Sequence, residues 1–288
     1  MRLFALLLIA AAAAQPPRIM TSGDLASFES PEPDERIAYG DDPLQFGELR
    51  LPDSPGPHPV VILIHGGCWL SEFDITHLRK LAAAITGTGV ATWALEYRRV
   101  GNPGGGWPGT FQDIARGTDH LRVLAMTHPL DLDRVIAAGH SAGGHLALWV
   151  AARPKLKDRE LFQGENPVLP IAVLGLAPAP DLAYLHEQNV CDGVVDKLLG
   201  GSPEDQPERY RSASLLNLVP LQVPQILILG DHDKNWTPVG RRYFEAAKAA
   251  GDDVRVVEAP ESGHFEMIDP DSTTWPLLTQ ALRDLLER

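Results

Sequence analysis

The chain has 288 residues, 44% of them hydrophobic, which is enough for a large core, and α/β folds of this length are commonly single domains. The formal net charge of −13 argues against nucleic acid and anionic membrane surfaces as partners. The His, Cys and acidic residues show no metal-ligand spacing, so the sequence predicts neither a metal nor a cofactor.

The N-terminus has the pattern of a secretory signal peptide. Met1-Arg2 precedes an apolar stretch that ends in a run of alanines, and an Ala-x-Ala site at 12–14 predicts cleavage after Ala14. An apolar stretch of about a dozen residues is too short to span a bilayer, which takes roughly 20. An uncleaved anchor and a misassigned start codon are the alternatives. We expect a periplasmic or secreted protein without membrane contact once residues 1–14 are removed.

Residues 15–43 are rich in Pro, Ser, Asp and Glu without clear periodicity, and they indicate an N-terminal arm before a main domain at 44–288. Strands and helices then alternate. Strands are predicted at 45–51 (as an edge strand), 59–64, 90–97, 134–138, 171–176, 224–229 and 253–258, and helices at 75–86, 113–126, 143–152, 239–250 and 275–286. This alternation predicts an α/β fold with a mostly parallel sheet and helices on both faces.

The stretch 181–223 is longer than an ordinary connection in such a fold. It contains Pro, Gly and mixed charges, and it has few apolar anchors for a core of its own. We expect a lid-like insertion, that is, a small lid or wall over the pocket and not a separate domain.

Residues 139–145 read Gly-His-Ser-Ala-Gly-Gly-His and follow a short apolar run. A G-x-S-x-G motif after a strand predicts a sharp strand-to-helix turn that exposes the hydroxyl of Ser141. Gly139 and Gly143 leave room for the turn because they carry no Cβ. The backbone N–H of Ala142 then lies at a helix N-terminus, where negative charge is stabilised. The motif indicates Ser141 as a nucleophile and Ala142 as an oxyanion-hole donor.

Three further motifs follow predicted strands. His-Gly-Gly-Cys-Trp stands at 65–69, Gly-Asp-His-Asp at 230–233 and Ser-Gly-His at 262–264. The carboxyl ends of parallel strands form the ligand-binding edge of an open sheet, so these residues should meet there. A serine, an aspartate and a histidine therefore occur in the chain order expected of α/β-hydrolases.

On these four motifs the chain, from about Leu44 to its C-terminus, resembles the α/β-hydrolase superfamily. Within it, the chain is similar to small carboxylesterases with an HGG oxyanion motif, related to acetyl-xylan and feruloyl esterases, kynurenine formamidases and hormone-sensitive-lipase-like enzymes. The resemblance implies an α/β-hydrolase fold and a serine hydrolase that works through an acyl-enzyme. Many relatives carry a third glycine where this chain has Cys68.

A serine hydroxyl needs a base near neutral pH, and His264 is the candidate because it follows the last predicted strand. The base needs a carboxylate to fix its tautomer, and Asp231 and Asp233 compete for this role. In the family the acid stands three residues after the strand-ending glycine, which implies Asp233 here. Asp231 would then be a turn-forming residue.

The oxyanion hole should be completed by backbone N–H groups of Gly67 and Cys68. His65 is expected to brace this loop by hydrogen bonding. Export would allow a disulfide between Cys68 and Cys191, the alternative being two free thiols.

Trp69, Trp107 and Trp236 are candidate substrate-pocket residues, with ordinary packing as the alternative. His140 and His145 stand close to Ser141 in sequence, but closeness in sequence does not by itself bring their rings to the Ser141 hydroxyl. We interpret both as structural residues.

The sequence therefore predicts an exported hydrolase of carboxylic esters, with a small-molecule or polysaccharide-linked ester as substrate. One alternative is amide chemistry with the same triad, as in an arylformamidase or a prolyl-oligopeptidase-like enzyme. A second is a non-catalytic ligand-binding member of the fold, although such proteins usually lose a triad residue and this chain keeps all three.

Overall fold

The computed structural model describes residues 18–28 and 30–287, so the predicted leader at 1–14 lies outside the described residues. The strands are β1 Glu35–Ala38, β2 Phe46–Arg50, β3 His58–Ile64, β4 Ala91–Leu95, β5 Leu130–His140, β6 Ala172–Leu176, β7 Gln225–Gly230 and β8 Val254–Ala259. The α-helices are α1 Arg79–Thr86, α2 Gly109–Asp119, α3 Leu121–Leu124, α4 Ala142–Ala152, α5 Arg159–Phe162, α6 Leu182–Glu187, α7 Val194–Leu199, α8 Pro207–Ala213, α9 Thr237–Ala249 and α10 Trp275–Leu286.

The eight strands form one sheet in the order β1-β2-β4-β3-β5-β6-β7-β8. The β1–β2 and β2–β4 pairs are antiparallel, and the remaining neighbours are parallel. Parallel neighbours need crossover connections, which explains why helices separate them along the chain. The mostly parallel α/β fold that the sequence predicts is confirmed.

Successive side chains of the central strand β3 enter different cores. Val60, Ile62 and Ile64 join one apolar cluster with helices α2, α4 and α9, whereas Val61 and Leu63 join a second cluster with α1 and α10. This is the alternation expected of a strand that is covered on both faces. In the described part of the chain no helix is both long and apolar enough to cross a membrane.

The prediction that 45–51 is the edge strand is wrong. Strand β1, inside the predicted arm, pairs with β2 from Glu35↔Leu49 to Ala38↔Phe46 and takes the edge position. All five residues of β2 are consequently buried. The four residues of β1 are mostly exposed, so they carry no hydrophobic pattern that would indicate a strand.

The stretch 181–223 contains α6, α7, α8 and a 3₁₀ helix at Leu215–Asn217. The expectation of few apolar anchors is wrong, because many of its residues are buried in the core cluster that contains α4. These are Leu182, Leu185, Val194, Val195, Leu198, Leu199, Tyr210, Ala213, Leu215, Leu218 and Leu221. Trp149 Nε1 of α4 also donates a hydrogen bond to the carbonyl of Ser212 at 2.9 Å.

Candidate active site

Ser141 occupies the turn between β5 and α4 in a strained backbone conformation, with φ 55° and ψ −120°. Gly139 and Gly143 make the turn possible through close backbone approach. A Cβ on Gly139 would lie 2.2 Å from the carbonyl oxygen of Gly143, and one on Gly143 would lie 2.0 Å from that of Ile64. The backbone N–H of Ser141 donates to the carbonyl of Leu176 on the neighbouring strand at 2.9 Å. The sheet therefore holds Ser141 at its carboxyl edge.

His264 forms its side-chain hydrogen bond with Asp233, from Nδ1 to Oδ2 at 2.7 Å. The other carboxylate oxygen of Asp233 accepts from the backbone N–H of Trp236 at 3.1 Å, and the residue is 6% exposed. Asp231 instead lies in a turn, where its Oδ1 accepts from the backbone N–H of Ser262 at 3.2 Å. With Nδ1 donating to Asp233, Nε2 is the ring nitrogen left to act as a base.

A cavity of about 610 Å³ brings the predicted groups together. Ser141 and His264 both line it, as do Gly67 and Cys68 of the loop at 65–69 that is predicted to hold oxyanion donors, named here the oxyanion loop. Most of its further walls are aromatic or aliphatic, including Phe73, Tyr184, Leu185, Val190, Trp236 and Phe265. A concave, mainly apolar site with a few convergent polar groups is typical of small-molecule binding.

The oxyanion loop turns sharply beside Ser141. Gly67, Cys68 and Trp69 all have positive φ, of 106°, 52° and 55°. The loop approaches Ser141 so closely that a Cβ on Gly66 would lie 3.0 Å from Cβ of Ser141. The backbone at 67–68 thus borders the cavity next to Ser141, as a donor to an oxyanion must.

His65 connects the oxyanion loop to a buried polar network. Its Nε2 lies 3.1 Å from Oε1 of Glu96 and 2.9 Å from Nη1 of Arg99, and its carbonyl accepts from the hydroxyl of Tyr97 at 2.8 Å. Burial raises the pKa of the Glu96 carboxyl, but His65, Arg99 and a backbone N–H outweigh burial and lower that pKa to about 2. An ionised Glu96 therefore anchors the root of the loop. Sequence reasoning missed Glu96 and Arg99, because nothing in the pattern after β4 distinguishes them from surface charges.

Cys68 and Cys191 are joined by a disulfide, with sulfur atoms 2.00 Å apart and Cα atoms 6.5 Å apart. The bond links the oxyanion loop to the segment between α6 and α7, 123 residues away in sequence. Both cysteines line the cavity, so the bridge forms part of its wall.

Trp236 lines the cavity, and its ring stacks on that of His264 with centroids 5.2 Å apart. The prediction that Trp69 lines the pocket is wrong. Trp69 is fully buried, and its ring makes an edge contact with His145 at 5.4 Å. The left-handed backbone at residue 69 leaves its side chain in the core, away from the cavity.

The pocket prediction is also wrong for Trp107. Its ring packs between Phe111 of α2 and Phe162 of α5, at 5.1 Å from each. Its backbone N–H donates to the carbonyl of Leu198 in the insertion at 2.7 Å. Trp107 thus joins elements of the scaffold instead of facing a substrate.

The other histidines near Ser141 are held as neutral groups. His140 Nε2 donates to the backbone carbonyl of His264 at 3.0 Å, and burial, reinforced by the neighbouring imidazoles of His264 and His77, lowers its pKa well below the ordinary value. His145 Nε2 donates to the carbonyl of Ala213 at 2.9 Å, and burial lowers its pKa to about 4. His77, which the sequence did not indicate, lines the cavity, and burial lowers its pKa to about 3.

Among residues 18–28 and 30–287, no three or more His, Cys, Asp and Glu side chains are grouped so as to hold a metal ion. The groups that line the cavity include the Ser141 hydroxyl, the His264 imidazole backed by Asp233, and the backbone of 67–68. This set is suited to nucleophilic acyl transfer.

Comparison with known proteins places this geometry in a family. Residues 49–239 match the sequence profile of the BD-FAE family. Over 244 residues the chain is 25% identical to esterase LipC of Mycobacterium tuberculosis, which covers 81% of this chain and 60% of LipC. It is 23% identical to kynurenine formamidase of Danio rerio over 261 residues, which covers 87% of this chain and 80% of that enzyme. The chain spans less than two thirds of several curated relatives, among them LipC and, at 32%, the acylamino-acid-releasing enzyme of Rattus norvegicus.

Solved structures show the same fold. Esterase B from Lactobacillus rhamnosis superposes with a TM-score of 0.76 at 23% identity and covers 91% of each chain. A bifunctional GH43-CE protein of Bacteroides eggerthii superposes with a TM-score of 0.73 at 20% identity, over 86% of this chain and 37% of its own.

The family match includes the HGG loop, the turn at Ser141 and Asp233, and it spans more than half of the chain. His264 lies beyond the matched range and is placed by the fold. The resemblance to α/β-hydrolases of the HGG type is confirmed, and the chain belongs to the BD-FAE family.

Proposed function

We propose that this protein hydrolyses carboxylic esters through a Ser-His-Asp triad and an acyl-enzyme intermediate. The observation that carries the proposal is a single cavity lined by both Ser141, on a strained elbow, and His264, hydrogen-bonded to the buried Asp233. The names of relatives such as LipC, and the small apolar cavity, support an ester as the substrate.

In the proposed acylation step, Nε2 of His264 takes the proton of the Ser141 hydroxyl while Oγ attacks the ester carbonyl carbon. The carbonyl oxygen becomes an oxyanion and accepts hydrogen bonds from backbone N–H groups of Ala142 and of 67–68. The intermediate collapses when the bond to the alcohol oxygen breaks, and His264 gives its proton to the departing alcohol. Asp233 stabilises the imidazolium throughout and does not itself become protonated.

Deacylation repeats these roles with water. His264 takes a proton from a water molecule that attacks the acyl carbon, and the same oxyanion donors stabilise the second intermediate. When the bond to Oγ of Ser141 breaks, the carboxylic acid is released and the serine regains its proton from His264. Overall, one ester and one water yield one acid and one alcohol.

The proposed substrates are small-molecule or polysaccharide-linked esters. A structural neighbour described as a carbohydrate esterase from gut microbiota supports the second kind. A formamide or arylamide is the second candidate substrate, because the match to kynurenine formamidase covers most of both chains. The same serine, base and oxyanion donors would serve either bond.

We propose further that the protein is exported. The N-terminal leader pattern supports this, and so does the Cys68–Cys191 disulfide, since such bonds persist in oxidising compartments. Fractionation of cells that express the full chain should find the enzyme in the periplasm or medium with an N-terminus near Gln15. Recovery of the intact N-terminus in the cytoplasm would contradict export.

The test of the activity is a comparison of kcat/KM for p-nitrophenyl esters of increasing acyl length, a feruloyl ester, acetyl-xylan and formanilide. We expect turnover of esters by the wild type and none by Ser141→Ala. Formanilide turned over faster than every ester would favour the amide alternative, and no turnover of any substrate would contradict the proposal.

A further inference from the structure

The N-terminal strap (residues 18–28) forms a wall of the cavity. Within it, a 3₁₀ helix runs from Ser22 to Ser27, and Ser22 and Leu25 both line the cavity that holds Ser141 and His264. The sequence pattern indicated only an arm in this region, because two turns of 3₁₀ helix are too short to show a periodicity. More than a hundred residues of chain separate the strap from the nucleophile, so tertiary contacts must hold it in place.

One carboxylate fastens the strap to the turn that carries His264. Oε1 of Glu266 accepts from the backbone N–H of Met20, and Oε2 accepts from the backbone N–H of Gly263 at 2.9 Å. Glu266 is 6% exposed, and its hydrogen bond from Gly263 is buried while that from Met20 is partly buried. Buried hydrogen bonds to a charged acceptor are the stronger kind. The strap and the residue before His264 thus share one anion.

Apolar contacts complete the attachment. Ile19 packs so closely on Gly263 that a Cβ there would lie 2.4 Å from Cγ2 of Ile19. Leu25 and Phe28 pack against the core cluster on the α1 and α10 side of the sheet, and Nζ of Lys80 lies 4.9 Å from the centre of the Phe28 ring. Leu25 therefore meets the cavity as well as the core, whereas Phe28 meets the core without lining the cavity.

We propose that the strap is a selectivity wall of the esterase site, with Leu25 limiting the size of the ester group on its side, and that Glu266 is a positioning residue for His264. This inference rests on the proposed ester hydrolysis. Leu25 fills volume that a longer acyl or alcohol chain would occupy. Glu266 holds the strap and fixes the backbone from which the His264 ring projects.

The wall is tested with Leu25→Ala and, as a matched control from the same segment, Phe28→Ala. We expect Leu25→Ala to raise the ratio of kcat/KM for long against short esters about tenfold, in a series that varies either the acyl or the alcohol chain. The change should fall mainly in KM of the long esters. Phe28→Ala should leave the ratio of kcat/KM for long against short esters near that of the wild type in both the acyl and the alcohol series. Unchanged ratios in Leu25→Ala, or an equal shift in Phe28→Ala, would overturn the role of Leu25.

The positioning role is tested with Glu266→Gln, which places an amide NH₂ against one of the two N–H donors. Its matched control is Glu261→Gln, the same change at an exposed residue of the same turn. We expect amide hydrogen exchange in residues 19–28 to become faster in Glu266→Gln and to stay unchanged in Glu261→Gln. In Glu266→Gln, kcat should fall about tenfold for every ester, with little change in the KM of p-nitrophenyl acetate.

The exchange measurement needs no turnover, so it tests the attachment of the strap by Glu266 even if the wild type hydrolyses no ester. Absence of ester hydrolysis by the wild type would contradict the proposed function and not the attachment. Unchanged hydrogen exchange in Glu266→Gln would overturn the role of Glu266. So would a fall in kcat of equal size in Glu261→Gln. Active wild type together with unchanged selectivity in Leu25→Ala would overturn the wall alone.

Discussion

Two aspartates in one turn, Asp231 and Asp233, differ in what they touch. Asp233 is buried and bonded to Nδ1 of His264, whereas the side chain of Asp231 is 47% exposed and bonded to a backbone N–H. A carboxylate that orients the base must contact the ring itself, because its effect on tautomer and charge depends on that hydrogen bond. The assignment of Asp233 can therefore be tested against a close neighbour.

Asp233→Asn should lower kcat by about 10³- to 10⁴-fold, since an amide at that position favours the wrong tautomer of His264. Asp231→Asn should change kcat by less than about threefold, because an exposed turn residue contributes little. Steady-state kinetics with p-nitrophenyl acetate, and unfolding curves for each variant, measure both effects. The reverse order of the two losses would assign the acid to Asp231.

Sequence patterns predicted Ser141, His264 and Asp233 from their positions shortly after strand ends, and in the structure Ser141 and His264 line one cavity while Asp233 is hydrogen-bonded to His264. The tryptophan predictions failed for Trp69 and Trp107 because the direction of a side chain in an irregular loop depends on its φ and on distant packing partners. Glu266 lacked a signal for a similar reason. Its partner Met20 lies 246 positions away, in a segment without periodicity.

At the scale of elements, the turn that carries Ser141 depends on close backbone contacts. Strand β5 approaches the start of α4, and α4 approaches the end of β3. The prediction of a strand, an elbow and a helix around residue 141 required only the G-x-S-x-G motif and the apolar runs on either side. Strand β1 was missed, since four mostly exposed residues show no alternation, and its partner β2 was consequently misplaced at the edge.

Gly143→Ala should be severely destabilising, because the new Cβ would lie 2.0 Å from the carbonyl oxygen of Ile64 and 2.5 Å from that of His65. A rigid backbone contact of this kind costs about 3 kcal/mol of unfolding free energy. Gly87→Ala is the matched control, with φ −60° and its nearest contact at 3.4 Å. Urea unfolding measures both, and a tolerated Gly143→Ala would contradict the tight elbow.

Cys191→Ala should lower the free energy of unfolding by about 4 kcal/mol, as expected when a closed loop of more than a hundred residues is opened. Reducing agent should destabilise the wild type but not Cys191→Ala. Thiol counting on the denatured, unreduced wild type should find no free thiol. Two free thiols, or equal stability of the two proteins, would contradict the bridge.

At the scale of the whole molecule, the two faces of the sheet were predictable from strand and helix alternation, since each apolar run must be covered on both sides. The packing of residues 181–223 into the main core was not predictable, because three short helices with mixed charge give a weak hydrophobic pattern. The same packing buries polar groups, including His145, which α4 presents to Ala213 in this insertion.

His140 and His145 are buried and neutral, which predicts acid sensitivity. The pKa of His145 is about 4 in the folded protein, whereas an unfolded histidine titrates near 6.5. The unfolded state thus binds more protons between these values, and stability that is fully present above pH 6.5 is lost as the pH falls toward 4. Each such histidine contributes a slope of at most about 1.4 kcal/mol per pH unit.

His145→Gln should lower the slope of unfolding free energy against pH between pH 4.5 and 6.5 by the equivalent of about one bound proton. We also expect this variant to be less stable than the wild type at pH 7. Urea unfolding across that pH range measures the slope. A variant with the same slope as the wild type would show that His145 is not a source of the acid sensitivity.

The most direct measurement is covalent labelling of the full chain with a fluorophosphonate, followed by intact mass and peptide mapping. Because a phosphonyl group mimics the attacked carbonyl, it should react with a serine activated by His264 and with no unactivated hydroxyl. We expect one adduct, on Ser141, in the wild type, and none in Ser141→Ala, which should fold normally. An adduct on another residue, or an unlabelled wild type, would contradict Ser141 as the nucleophile.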